Sequence, residues 1–152
     1  MTLLHHWNRL SKLPGGKWLF SKIIGKRIPY SGSISPHVEI LEPGHSRISM
    51  RDTQKVRNHL DCIHAVALIN LAELTSGTAM VASLPADMRG ILTGLQIQYF
   101  KKSRGTITAD CHCSVPSSKE RREYEVEVEL KDGGGEVVCR AKANWLIGPA
   151  KA

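Results

Sequence analysis

A single carboxylate, Glu73, closes the otherwise apolar run Val66-Ala67-Leu68-Ile69-Asn70-Leu71-Ala72-Glu73. A segment apolar on nearly every side is expected to be a buried helix, because only burial recovers the free energy of its exposed surface. Burying Glu73 with it costs several kcal/mol unless the carboxylate is paired or hydrogen-bonded. Two readings follow. Either a neighbouring donor satisfies Glu73, or it is an acid/base or nucleophilic group beside a helix N-terminus that polarises a carbonyl. The polar stretch Asn58-His59-Leu60-Asp61-Cys62-Ile63-His64 stands directly before that helix. The backbone N–H of Ala65, at the helix start, is the candidate oxyanion donor, since the first amides of a helix have no intrahelical acceptor. Asn70 lies three residues before Glu73 and shares its helical face, where its amide could hold the carboxylate ionised.

The elements that must position these groups are readable from periodicity. Leu3, Leu4, Trp7, Leu10 and Leu13 recur at helical spacing and are stopped by Pro14-Gly15-Gly16. Trp18, Leu19, Ile23 and Ile24 mark a second short helix, with Lys17, Lys22 and Lys26 around it. From His37 the period changes. Val38, Ile40, Ile48 and Met50 alternate with polar residues about the turn cluster Glu42-Pro43-Gly44-His45, predicting a hairpin. The helix is expected from 65 to about 82, followed by strands over 92–100, 106–115, 123–131 and 136–147. Asp132-Gly133-Gly134-Gly135 supplies the positive φ of a tight turn between the last two. Residues 1–36 therefore read as a basic helical arm and 37–152 as one α+β domain: two strands, a long buried helix, then four strands.

Counted from His64, Asn58 lies six residues before and Glu73 nine after. This layout resembles the hotdog-fold acyl-CoA thioesterases, whose phenylacetyl-CoA thioesterase-like branch has an Asn, a His-Gly-Gly helix start and a Leu-Ala-Asp on the helix. It is closer still to a presumed-thioesterase subfamily carrying Asn-His…His-Ala…Asn-Leu-Ala-Glu, which here reads Asn58-His59, His64-Ala65 and Asn70-Leu71-Ala72-Glu73. The resemblance covers residues 37–147. Asp61 stands where the family usually has Gly, Ala65-Val66 replaces Gly-Gly, and Glu73 replaces Asp.

The resemblance implies a hotdog fold, one long central helix wrapped by a curved antiparallel sheet, with an N-terminal helical arm added. It implies hydrolysis of a medium- or long-chain or aromatic acyl-CoA, with coenzyme A as part of the substrate and no cofactor or metal. It implies a homodimer or dimer of dimers, paired sheet edge to sheet edge, with the sites between subunits. In that scheme Asn58 orients the water or the thioester, and Glu73 of the facing subunit is base or nucleophile. His64 bonds backbone near the helix start, and the Ala65 N–H polarises the thioester oxygen. Lys101, Lys102 and Arg104, at the end of the 92–100 strand, either hold the coenzyme A phosphates or form a solvated turn. Two other readings of the same fold stand beside hydrolysis. One is an acyl-CoA-binding module without turnover; the other is a hydratase, whose family motif spaces its Asp and His further apart than Asp61 and His64.

Charge and cysteines bound the rest. The net charge is +7, and Arg9, Lys12, Lys17, Lys22, Lys26 and Arg27, with no acid before residue 37, account for +6 of it. The nearly neutral body carries no positive stripe, so nucleic acid is not an expected partner. The arm either packs over the sheet or a partner subunit, with its lysines solvated, or lies on a membrane surface through residues 1–30. No secretory signal and no spanning helix are expected, which points to the cytoplasm. Cys62, Cys111, Cys113 and Cys139 are then expected as free thiols, because Cys111-His112-Cys113 is spaced too tightly for a structural zinc pair.

Overall fold

The structure, a computed structural model, describes residues 2–82 and 84–150. Three helices come first: α1 (Leu3–Leu10), α2 (Gly16–Arg27) and the single turn α3 (Pro29–Gly32). The hairpin β1 (His37–Glu42) and β2 (His45–Met50) leads into the buried helix α4 (Ala65–Val81). Four strands follow: β3 (Met88–Tyr99), β4 (Ile107–His112), β5 (Arg122–Lys131) and β6 (Val137–Pro149). Together they form one antiparallel six-stranded sheet in the order β1-β2-β4-β5-β6-β3. The predicted two strands, one helix and four strands are all present. β3 starts earlier than its apolar pattern suggested, because the long β6 still offers partners there: Met88 pairs with Pro149 and Ile91 with Leu146. β4 stops at His112 instead of 115, and its ladder with β5 involves only Thr108, Ala109 and Asp110.

Alternation decides which side of the sheet meets α4. On β5, Val126, Val128 and Leu130 are buried, while Glu125, Glu127 and Glu129 face solvent beside Lys142 and Arg140 of β6. Against that inner face lie Leu68, Leu71, Ala72, Ala79 and Met80 of α4. Three hydroxyls are buried with them, and each is satisfied. Thr75 donates to the Leu71 carbonyl (2.7 Å), Thr78 bonds Ser46 (2.8 Å), and Ser76 accepts from the Trp145 indole (3.1 Å). Unpaired, such groups would cost about 1–3 kcal/mol each.

Small residues let the helix approach the sheet. A Cβ on Gly77 would come within 2.9 Å of the Trp145 ring, closer than any relaxed packing allows. Gly77→Ala must therefore displace Trp145 and strain its bond to Ser76. The expected loss is about 1–3 kcal/mol, read as a lower urea midpoint with an unchanged slope.

The two edges of the sheet differ. At β1, α2 packs Phe20 and Ile24 into the core and also caps backbone groups: Ser21 Oγ accepts from the Val38 N–H (2.9 Å), and Lys17 Nζ donates to the Glu39 carbonyl (2.7 Å). A bulge between Val38 and Ile40 interrupts that strand further. β3, at the other end, pairs with β6 on one side and, among the described residues, with no strand on the other. Its sequence MRGILTGLQIQY has one charge, Arg89. Among the described residues no helix is long and apolar enough to cross a membrane.

Candidate active site

The loop before α4 is built around Asn58. Its Oδ1 accepts from the Leu60 N–H (2.9 Å), the Cys62 N–H (3.4 Å) and the Cys62 thiol (3.4 Å), while its own N–H donates to the Cys62 carbonyl (2.9 Å). Asn thus closes the loop with its side-chain carbonyl, as Asx residues do in turns. Only its amide N–H₂ remains for another partner. Asp61 has φ 51°, the left-handed conformation that explains a Gly in the sequences it resembles; Asp tolerates it better than most residues.

Neighbouring segments brace this loop. Ile63 N–H donates to the Ser103 carbonyl (2.9 Å), Arg104 Nε to the Asp61 carbonyl (3.1 Å) and His64 N–H to the Val56 carbonyl (2.7 Å). Asp52 ties the same assembly together, accepting from Arg57 Nε (2.7 Å) and the Gly105 N–H (3.1 Å). The Arg57 hydrogen bond holds the Asp52 carboxyl below its usual range.

His64 is the N-cap of α4. Its Nδ1 accepts from the Val66 N–H (3.0 Å), and its carbonyl takes the Ala67 (2.9 Å) and Leu68 (3.2 Å) amides. Among the described residues this leaves the Ala65 N–H without an acceptor, at the positive end of a 17-residue helix. The bond from Val66 also fixes the imidazole, so that Nδ1 is unprotonated and neutral His64 carries its proton on Nε2. The arrangement is a single vacant donor beside an oriented ring, which suits a developing oxyanion.

Glu73 sits half-buried two turns further along α4. Its carboxylate makes no hydrogen bond or ion pair among the described residues, and burial pushes its pKa up from the ordinary 4.5. Asn70 does not hold it ionised, contrary to what the helical spacing suggested. The Asn70 amide instead donates to the Tyr30 carbonyl (3.3 Å), because α3 packs across α4 at that point and presents a backbone acceptor. A half-buried carboxylate without a partner, its pKa raised by burial, is matched to general base work.

The basic segment after β3 divides. Lys101 is ion-paired with Asp132 (2.7 Å) and also with Glu136, so it is neutralised at the β5–β6 turn. Arg104 spends Nε on the motif loop and keeps its terminal nitrogens exposed; Lys102 is exposed. His59 is exposed as well. Thr93 lies on the exposed face of β3, next to the bulge at Leu92 and Gly94, and donates to the Asn144 carbonyl (3.1 Å) and to Glu123.

All four cysteines are free. Strand alternation separates the Cys-His-Cys tripeptide: Cys111 is buried against the core, while His112 points outward to share the Asp110 carboxylate with His45 and Arg47. Burial pushes the Cys139 thiol up to about 12.

Two participants carried no sequence signal. Tyr99, at the end of β3, donates its hydroxyl to the Ala65 carbonyl (2.9 Å) and thereby clamps the first turn of α4. Asp52 braces the loop from six residues upstream of Asn58. Periodicity marks Tyr99 as one more strand residue, and only the closure of β3 over the helix start shows its second role.

An antiparallel sheet wrapped around one buried helix, carrying a carboxylate on that helix and a capped loop at its N-terminus, is the hotdog fold. The chain belongs to the family described as "Domain of unknown function (DUF4442)", whose model matches residues 16–147 and so includes α2 of the arm. No curated protein matches it.

Solved structures give the same fold. The crystal structure of a structural-genomics target is similar with a TM-score of 0.83 at 29% identity, covering 97% of this chain and 99% of its own. A protein of unknown function from Pseudomonas aeruginosa, named a probable thioesterase, is similar with a TM-score of 0.78 at 24% identity over 91% of this chain and 97% of its own. A variant of a thioesterase from Staphylococcus aureus subsp. aureus Mu50 has a TM-score of 0.72 at 15% identity, over 80% and 99%.

Proposed function

We propose that the protein is a thioester hydrolase acting on acyl-CoA, with each site assembled from two copies of the chain. The observation that carries this reading is the pairing of two unsatisfied groups on one helix: the half-buried Glu73 carboxylate and the vacant Ala65 N–H. In the proposed reaction the N–H receives the thioester oxygen as it becomes an oxyanion. Glu73 takes a proton from the attacking water, or attacks the carbonyl itself; either way the C–S bond breaks and the coenzyme A thiolate leaves, and in the second route water then hydrolyses the resulting anhydride. The names of the solved relatives, a probable thioesterase and a thioesterase, agree with that chemistry.

Helix geometry is the reason for two copies. Ala65 and Glu73 are eight residues apart, which at 1.5 Å per residue is about 12 Å along the axis, and a Glu side chain leans back toward the N-terminus by only part of that. One carbonyl cannot meet both in the same chain. The unpaired β3 edge, with Arg89 as its one charge, is the surface through which a second copy supplies the missing group. On the acyl side, the exposed Leu60 and Val66 flank the helix start and suit a medium-length, long or aromatic chain. Lys102 and the free nitrogens of Arg104 are the remaining cations for coenzyme A phosphates.

The test is thiol release from a panel of short, long and aromatic acyl-CoAs. Asn58→Ala removes the acceptor that closes the motif loop, shifts the helix start, and should reduce turnover about a hundredfold while the fold survives. Tight acyl-CoA binding with no turnover on any substrate would make the protein a binding module instead.

A further inference from the structure

α2 is apolar on two faces, and the fold uses one. Phe20 and Ile24 enter the core, whereas Trp18 (59% exposed), Leu19 (44%) and Ile23 (43%) point away from it. At helical spacing those three share their face with Lys22 and Lys26, also exposed. Lys22 Nζ lies 5.7 Å from the centroid of the Trp18 ring. Leu13, which precedes the helix, is 59% exposed. No carboxylate occurs before Glu39, so this surface carries cations and large apolar side chains together.

Beside it runs a groove of about 820 Å³, lined by Trp18, Lys22 and Lys26 from the helix and by His37, Arg51 and the single acid Glu39 from the sheet. The face lies over β1, at the opposite edge of the sheet from β3. Pairing through β3 would leave it uncovered.

From this we propose that the α2 face docks on an anionic lipid bilayer, with Trp18, Leu19 and Ile23 entering the interface and Lys22 and Lys26 meeting the headgroups. A second copy is the poorer occupant, because two such faces would bring like charges together, whereas an anionic bilayer complements them. Interfacial helices combine these elements: an aromatic residue and aliphatics that enter the headgroup region, and flanking lysines drawn to anionic lipid.

Co-sedimentation of the full chain with phosphatidylcholine vesicles, with and without phosphatidylglycerol, tests the proposal. Binding should be about tenfold tighter to the anionic vesicles and should weaken at high salt. Trp7 and Trp145 are buried, so a blue shift of the emission on binding reports Trp18. Leu19→Ser with Ile23→Ser, and separately Lys22→Glu with Lys26→Glu, should each abolish most of the binding. These exposed positions lie outside the core, so turnover of soluble substrate should be unchanged. Absence of sedimentation, equal binding to neutral vesicles, or full binding by both variants would overturn it. So would a loss of mass by light scattering in the variants without any vesicle effect, which would assign the face to a second copy.

Discussion

Glu73→Gln should reduce turnover by roughly 10²–10⁴-fold, the range that removal of a general base or nucleophile produces, while leaving the fold intact. The pH dependence sharpens the expectation. Burial raises the Glu73 pKa, so the native chain holds this proton more tightly than the unfolded chain does. In the wild type, activity should fall as the pH drops through that raised value, because a base must be ionised to act; whatever residual activity Glu73→Gln retains should lack this limb.

Stability should move the other way. A carboxyl with a raised pKa contributes fully below its unfolded value and loses that contribution as pH rises through its folded value. Glu73→Gln should therefore melt higher than wild type near neutrality, with the two curves converging toward pH 4. A variant that is inactive yet more stable identifies a group kept for chemistry. A variant that is fully active would remove Glu73 from the mechanism.

Charging the β3 edge, the proposed seam between two copies, should have the second large effect. Ile91 and Gln96 are exposed on the single chain, so Ile91→Lys with Gln96→Lys should leave it folded. Across a two-fold β3 seam the same changes place like charges against one another, which costs several kcal/mol and should weaken association about a hundredfold. Light scattering would report monomers, and turnover should fall with the dimer fraction.

Mixing inactive variants tests the proposed shared site. Glu73→Ala and Asn58→Ala, each with about 1% of the activity or less alone, should regain about a quarter of it when their subunits are exchanged. Half the dimers are then mixed, and one of the two sites in each is intact. No recovery, together with full activity in monomers, would mean that one chain suffices.

Most of the fold was legible because it rests on periodicity. The alternation of Glu123 to Leu130 and the apolar run after His64 each admit one regular structure, and the turn residues between them fix the order. The strand ends were less so, since Met88 to Ile91 and the residues after His112 depend on whether a neighbouring strand still runs alongside. At the candidate site, the residue types singled out Asn58, His64, Ala65 and Glu73 as candidates. Partners were harder. Asn70 bonds a carbonyl from forty residues away, and Lys101 meets two acids of a distant turn, so neither assignment was available from local spacing. The two faces of α2 show the same limit: the sequence marks Trp18, Leu19, Phe20, Ile23 and Ile24 as apolar, and only packing separates those that enter the core from those left outside.

The contrast between the two sheet edges also sets a limit on growth. A sheet whose margins were both open could add copies indefinitely, strand by strand, toward a fibre. Ser21 and Lys17 occupy the backbone groups of Val38 and Glu39 on one margin, and the bulge beside them spoils the register any incoming strand would need. Extension is possible only at β3, and it stops as soon as two such margins meet. The helical arm thus acts as a chain terminator for the sheet, whatever else its outer face does.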